Sequence, residues 1–149
     1  MAESKYEKYF VRKPAYETGP PTTKGRQTPT MTYMSSDLVP GANVYLEYGW
    51  IWGMPEPNPH IYEHSHDYDE VVLHIGSDPH NPEDLGAEIE FMVGGEPLVF
   101  DTNTALFVPK GLKHCPLTWR KVTRPHIEMS IVLGAGTLRE AAPGMNKPR

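Results

Sequence analysis

Short apolar segments bounded by glycine or proline recur between residues 44 and 133 of this 149-residue chain. The clearest is Val44–Trp52, where large apolar residues alternate with a period of two, which predicts a β-strand. No segment keeps the 3.6-residue period of an amphipathic helix, although a short helical turn is expected at Ser36–Val39 or Leu138–Ala142. Short, evenly spaced strands favour one antiparallel β-sandwich or barrel without internal repeats. The other predicted strands are Thr30–Met34, His60–His66, Glu70–Ile75, Glu88–Val93, Pro97–Phe100, Leu106–Pro109, Lys113–Leu117 and Ile127–Leu133.

Composition divides the chain into three regions. Residues 1–43 are rich in proline, serine and threonine, which argues against a helix there. They also carry more aromatic residues than a disordered segment usually does, namely Tyr6, Tyr9, Phe10, Tyr16 and Tyr33. We interpret them as an N-terminal arm that wraps its own barrel or a neighbouring subunit. Residues 44–134 form the predicted barrel, and residues 135–149 form a polar C-terminal tail.

Charge and cysteine content exclude several classes of function. The net charge is −5, with +3 in residues 1–30 and −8 in the remainder, and an acidic body argues against nucleic-acid binding. The basic arm is expected to be solvated, or else to lie across an acidic surface. The single cysteine, Cys115, excludes an internal disulfide and fits a reducing compartment. Neither an apolar leader nor a membrane span is visible, so we expect a cytoplasmic protein.

Two separate segments carry potential metal ligands. His64 and His66 are two residues apart, so in an extended strand their side chains share one face. Asp67–Asp69 has the composition of a tight bend that would bring Glu70 back toward that face. His114 would arrive from a separate strand that begins after a Pro-x-Gly turn.

This ligand set suits a catalytic metal. Three imidazoles and one carboxylate are appropriate for one divalent iron, manganese, nickel, copper or zinc ion. Four protein ligands leave one or two positions open on an ion that prefers five or six. Open positions are typical of catalytic sites and not of structural ones.

The two segments together resemble the motifs of the cupin superfamily. His64, His66 and Glu70 match the first motif, and the Pro-x-Gly turn followed by His114 matches the second. The departures fall at turn and edge positions: Asn58, Gly76, Asn103 and Thr118. The resemblance covers roughly residues 44–133 and implies an all-β, single-domain double-stranded β-helix, or jelly-roll barrel, with a proline-rich N-terminal arm. Cupin barrels commonly pair, so a homodimer is expected.

The resemblance also implies an activity class. Single-domain cupins of this size include dioxygenases, isomerases, lyases, decarboxylases and polyketide cyclases. We therefore expect a metalloenzyme, either an oxidoreductase of the dioxygenase type or a lyase, isomerase or cyclase, whose small organic substrate chelates the ion through neighbouring oxygens. The alternative is a non-catalytic module that binds a small ligand. The complete ligand set favours an enzyme.

Further residues are candidates for the chemistry. Glu70 can act as a base as well as a ligand. His74 shares its strand face, and is either an acid or base or a hydrogen-bonded core histidine. Tyr62 offers a pocket hydroxyl or packs at the barrel mouth. Trp50 and Trp52 are expected in the core or the cavity wall, where they would favour an apolar or aromatic substrate.

The remaining features are less specific. Glu128 and Ser130 share a face of the last strand and would form a polar wall if that face is inward. Cys115 is expected to be a small buried hydrophobic residue. The loop Gly76–Gly86 is a tolerated insertion or a lid over the mouth. No cluster of lysine or arginine accompanies the ligand strands, which argues against a sugar phosphate as substrate.

Overall fold

A computed structural model describes residues 4–18 and 23–141. These residues form ten strands in two antiparallel sheets, a 3-10 turn at Glu7–Tyr9 and one short helix, so the predicted all-β barrel is confirmed. No helix in the described residues is long and apolar enough to cross a membrane. The strands are β1 (Ala15–Thr18), β2 (Lys24–Arg26), β3 (Thr30–Met34), β4 (Val44–Glu56), β5 (Glu70–Gly76), β6 (Asp84–Val93), β7 (Glu96–Thr102), β8 (Thr104–Val108), β9 (His114–Val122) and β10 (His126–Leu133), and the helix is α1 (Leu138–Ala141).

The two sheets pack face to face around an apolar core. The larger sheet has the order β1-β3-β4-β10-β5-β8, with β2 paired to β4, and the smaller has the order β7-β6-β9. Burying apolar side chains between the sheets is the main driving force for folding such a sandwich. The largest members of this core are Ile51, Leu85, Ile89, Phe91, Leu117 and Trp119.

The larger sheet is polar on its inner face where β5 and β10 pair. Glu128 of β10 lies opposite His74 of β5, and residues in register share a face. The inward side chains of these two strands are Glu70, Val72, His74, His126, Glu128, Ser130 and Val132. An inner face with this many polar groups indicates a cavity and not only a core.

The aromatic side of β4 faces outward, so the prediction for its tryptophans is wrong. Trp50 is 37% exposed and Trp52 is 56% exposed, whereas Ile51 between them is fully buried. Pairing fixes this orientation, because Ile51 is in register with His126, which is also buried. The exposed tryptophans therefore do not favour an aromatic substrate.

The N-terminal arm is part of the barrel of its own chain. β1 and β3 extend the larger sheet, and β2 lies on β4 in register with Ile51. The close approach needs a glycine: a Cβ on Gly25 would lie 2.5 Å from the carbonyl oxygen of Met54. Residues 1–3 and 19–22, and with them Pro20 and Pro21, lie outside the described residues.

The segment between β4 and β5 differs from the prediction. His60–His66 is not a strand; within it, only His64 forms a β-bridge, with His114. The i, i+2 spacing of the histidines does not need a strand, because a single bridge orients them. The helical turn expected at Leu138–Ala142 corresponds to α1, which spans Leu138–Ala141. Residues 142–149 lie outside the described residues.

The polar loop after β5 lies away from the histidines. It spans residues 77–83, because Gly76 ends β5 and β6 begins at Asp84. Glu70 stands at the opposite end of β5, which is about 20 Å long at 3.3 Å per residue. The loop is anchored there by Ser77, whose hydroxyl donates to the carbonyl oxygen of Pro125 at 2.6 Å. This position favours the interpretation as an insertion over that as a lid.

Candidate metal centre

Backbone hydrogen bonds join the two predicted ligand segments. The amide of His64 donates to the carbonyl of His114 at 3.0 Å, and the reverse bond is 2.9 Å long. The amide of Gly111 donates to the carbonyl of His66 at 2.9 Å, so the Pro-x-Gly turn lies directly against the His-x-His segment. These three bonds place two sequence segments nearly fifty residues apart in one site.

The three histidines form a compact cluster. Their ring centroids are 4.4 Å apart for His64 and His114, 5.0 Å for His66 and His114, and 5.8 Å for His64 and His66. One nitrogen from each ring lies within 4.8 Å of the other two. Three imidazole nitrogens at this spacing can share one ion.

The ring orientations leave the same nitrogen of each histidine toward the site. Every Nδ1 faces a backbone carbonyl, at 2.7 Å for His64, 3.0 Å for His66 and 2.9 Å for His114. A carbonyl only accepts hydrogen bonds, so each Nδ1 carries the proton and each Nε2 keeps its lone pair. The three carbonyls belong to Tyr62, Tyr68 and Leu112. Hydrogen bonds of this kind orient histidine side chains toward a metal.

Buried nitrogen atoms show that the cluster suits an ion. The Nε2 atoms of His66 and His114 are buried and make no hydrogen bond to a described residue. Burying an imidazole lone pair without a partner is unfavourable, and coordination would satisfy it. The residues present therefore fit a divalent metal.

Glu70 adjoins the cluster through His66. Its Oε2 lies 2.7 Å from Nε2 of His66, although the two groups are not aligned for a hydrogen bond. Contact with this carboxylate raises the pKa of His66, whereas burial lowers the pKa values of His64 and His114. Neutral histidines are the form that binds a metal. The role of Glu70 as the fourth ligand stays a prediction.

His64, His66, Glu70 and His114 line a cavity of about 90 Å³ that opens to solvent. Glu128 and Ser130 also line it, so their face is inward, as one reading of the sequence anticipates. Cys115 is buried, as predicted. Further residues that border the cavity through backbone or side-chain atoms are Arg26, Thr30, Glu47, Tyr48, Ile61, Val72, Phe91, Leu117, Met129 and Leu138.

A second polar cluster joins the cavity wall to the arm. The Nη1 atom of Arg26 lies 2.5 Å from Nε2 of His60 and 3.7 Å from Oε1 of Glu128. The other carboxylate oxygen of Glu128 lies 3.4 Å from Nε2 of His74. Burial alone would raise the pKa of Glu128, but contact with His74 and the charge of Arg26 outweigh burial and lower it to about 2. Glu128 is therefore a carboxylate at neutral pH.

Sequence reasoning did not find Arg26. It lies in the arm, outside both motifs, and no spacing connects it with Glu128. The neighbouring Gly25 was a signal in the sequence, because a glycine often marks a close approach of two backbone segments. In the structure its φ is 76°.

The other candidates occupy different environments. His74 is buried at 1% exposure and contacts the rings of Phe100 and Trp119, so it combines a core position with its contact to Glu128. Tyr62 is 56% exposed, and its side chain does not line the cavity. Its backbone carbonyl accepts a hydrogen bond from Nδ1 of His64, and a role for its hydroxyl stays a prediction.

Comparison with known proteins supports the fold. No protein-family model and no curated protein matches the sequence. Among solved structures, the polyketide cyclase RemF from Streptomyces resistomycificus is 12% identical to this chain and has a TM-score of 0.52. The match covers 96% of this chain and 83% of the RemF chain. An RmlC-like cupin from Shewanella frigidimarina is 16% identical over 85% of this chain and 88% of its own, with a TM-score of 0.48. A cupin-2 domain protein from Rhodospirillum rubrum is 12% identical over 83% of this chain and 69% of its own, with a TM-score of 0.49. At these identities the likeness is one of fold.

Proposed function

Because this chain has the cupin fold, we propose that it is a metal-dependent enzyme that acts on a small, oxygenated organic molecule. The proposal depends above all on one observation: three histidines, each fixed through Nδ1 by a carbonyl, direct Nε2 toward a common point beside an open cavity. A site that only stabilised the fold would be closed to solvent.

His64, His66, His114 and Glu70 would hold one divalent iron, manganese, nickel, copper or zinc ion. Such an ion supplies Lewis-acid chemistry, or redox chemistry if it is iron, manganese or copper. The carbonyl contacts fix the tautomer and the orientation of the imidazoles, and burial favours the neutral form of His64 and His114. Glu70 contributes negative charge and stands where it can take a proton from a substrate in the cavity.

The reaction class within this proposal depends on the metal. Iron with an oxygen-sensitive spectrum would make the protein a dioxygenase and thus an oxidoreductase. Zinc would make it a lyase, an isomerase or a cyclase. The fold likeness to a polyketide cyclase adds to the case for considering cyclisation.

Metal analysis tests the proposal. The purified protein is expected to contain about one transition-metal ion per chain by mass spectrometry, and a His64→Ala/His66→Ala variant is expected to contain none. His80→Ala is the matched control, because His80 is exposed and lies outside the cluster. Anaerobic addition of a chelating ligand, followed by oxygen, then distinguishes redox from non-redox chemistry by absorption spectroscopy. Full metal content in the double variant would refute the site.

A further inference from the structure

Besides the histidine cluster, the cavity wall holds a second polar group, which is a buried pair of opposite charges. Arg26 from the arm and Glu128 from β10 both line it, and their side chains are only 4% and 13% exposed. A buried ion pair of this kind is expensive to desolvate, so it is weak as a stabilising device. Its place in a cavity wall suggests a binding role instead.

The hydrogen-bonding groups of the Arg26–Glu128 pair are not all used within the described residues. The Nε atom of Arg26 and the Oε2 atom of Glu128 are buried and make no hydrogen bond to any described residue. Their closest approach, 3.7 Å between Nη1 and Oε1, is longer than a good hydrogen bond. Buried polar groups normally have partners, and here the Nε of Arg26 has none among the described residues, while Oε2 of Glu128 has the 3.4 Å contact with Nε2 of His74. An unpaired donor beside a carboxylate in a cavity wall indicates that a further polar group binds there.

The charges of the cavity indicate which kind of group this is. Among its described lining residues, Glu47, Glu70 and Glu128 are acidic, and Arg26 is the only arginine or lysine. A divalent ion at the histidine cluster, together with Arg26, would balance the three carboxylates. An anionic ligand would then add an uncompensated negative charge in a largely buried site, which is unfavourable. A neutral ligand that donates hydrogen bonds would not.

We propose that Arg26 and Glu128 form a recognition pair for a hydroxyl group of the ligand, so that the substrate is a neutral molecule with a hydroxyl remote from the oxygens that reach the metal. This inference rests on the proposed metal site. Glu128 accepts the hydroxyl hydrogen, and His74 and Arg26 together hold the carboxylate in its ionised form. The arm thereby supplies a specificity-determining residue to the barrel.

Three catechols that share one chelating head test the proposal. They differ at the ring carbon remote from the chelating oxygens: 4-(hydroxymethyl)catechol carries a hydroxyl, 4-methylcatechol carries none, and 3,4-dihydroxybenzoate carries a carboxylate. Calorimetric titration of the zinc-loaded protein is expected to show the hydroxymethyl compound binding about tenfold more tightly than the methyl compound, the size of one hydrogen bond to a charged group. The carboxylate compound should bind most weakly.

The variant Arg26→Gln/Glu128→Gln removes both charges, so that no buried charge remains unpaired. It should keep its zinc content and bind the hydroxymethyl and methyl compounds within about threefold of each other, since the charge-assisted bond is lost. The carboxylate compound should still bind most weakly, because removing one charge of each sign leaves the charge balance of the cavity unchanged. The matched control is Arg120→Gln/Glu90→Gln, an Arg–Glu pair on the exposed surface, which should keep the wild-type order. Melting temperatures confirm that each variant is folded. If the double variant does not fold, Glu128→Gln alone must abolish the preference for the hydroxymethyl compound.

Two results would overturn the inference: tightest binding of the carboxylate compound by the wild type, or a preference of the folded double variant for the hydroxymethyl over the methyl compound as large as that of the wild type. Loss of zinc binding in the wild type would instead contradict the proposed function, because then none of the three chelating heads would bind.

Discussion

At the scale of single residues, the partners of both ring nitrogens separate candidate ligand histidines from core histidines. His126 is as buried as His114, but its Nε2 accepts a hydrogen bond from the indole of Trp119 at 3.0 Å, and its Nδ1 faces a carbonyl. Both of its nitrogens are therefore used within the protein. The three clustered histidines use only Nδ1 in this way, which leaves Nε2 for an ion.

Glu70→Gln tests whether the carboxylate is a ligand and a base. We expect the dissociation constant for zinc to rise by about tenfold or more, because the neutral amide is a poorer ligand for a cation. The fold should persist, because the apolar core lies elsewhere. Isothermal titration measures the affinity, and Glu63→Gln is the control for an exposed glutamate nearby. Once a substrate is known, turnover at saturating metal should fall further than metal occupancy does.

An affinity for zinc equal to that of the wild type would remove Glu70 from the ligand set. Unchanged turnover of the metal-saturated variant would remove it as the base, and His74 would be the next residue to test.

The depressed pKa of Glu128 predicts a pH-dependent stability. Its pKa is about 2 in the folded protein and 4.5 in its ordinary state, so its ionisation favours the fold above pH 4.5. By linkage this contributes roughly 3 kcal/mol at neutral pH, which is lost as the pH falls from about 5 toward 2. Urea unfolding should therefore show a large difference between wild type and Glu128→Gln at pH 7 and a smaller one at pH 3. A difference that is constant with pH would contradict the shift.

At the scale of elements, the sequence predicts strands better than their faces. The period of two identifies β4, β5 and β10 almost to their ends, because alternation is a local property. It does not say which face is inward, and Trp50 and Trp52 were assigned wrongly because aromatic residues are usually buried. The three clustered histidines, and Glu70 beside them, were candidates because their spacing recurs in a known family. Arg26 was not, since its proximity to Glu128 depends on how the arm crosses β4.

The close pairing of β2 with β4 can be tested at Gly25. A Cβ there would lie 2.5 Å from a backbone oxygen, and the φ of 76° adds strain for any other residue. Gly25→Ala should destabilise the protein by about 2 to 4 kcal/mol, measured by urea unfolding. Gly41→Ala is the control, because Gly41 has a φ of 90° but no atom within 4 Å of its Cβ position. Gly41→Ala should lower the free energy of unfolding by only about 1 kcal/mol, because only the backbone conformation is unfavourable there. Equal effects at both sites would contradict the close approach.

At the scale of the whole molecule, the larger sheet reverses the usual distribution of polarity. Its inner face holds histidines, glutamates and an arginine around the cavity, whereas its outer face is apolar across four adjacent strands. An exposed apolar face of this extent is typical of a protein–protein interface. Its outward residues in register are Leu46, Tyr48, Trp50, Val71, Leu73, Ile75, Ala105, Phe107, Ile127, Met129 and Ile131.

We predict that this outer face joins two copies of the chain in a homodimer. A twofold axis brings the same patch of each copy together, so one flat apolar sheet face can cover both. Light scattering at micromolar concentration should give twice the chain mass of 16.8 kDa. Trp50→Glu/Phe107→Glu should give a monomer, because two buried carboxylates would be left without partners at the interface. Leu98→Glu is the control: Leu98 is 48% exposed, close to the 55% of Phe107, but lies on β7 of the smaller sheet. It should leave the dimer intact, and a wild-type monomer at this concentration would rule the interface out.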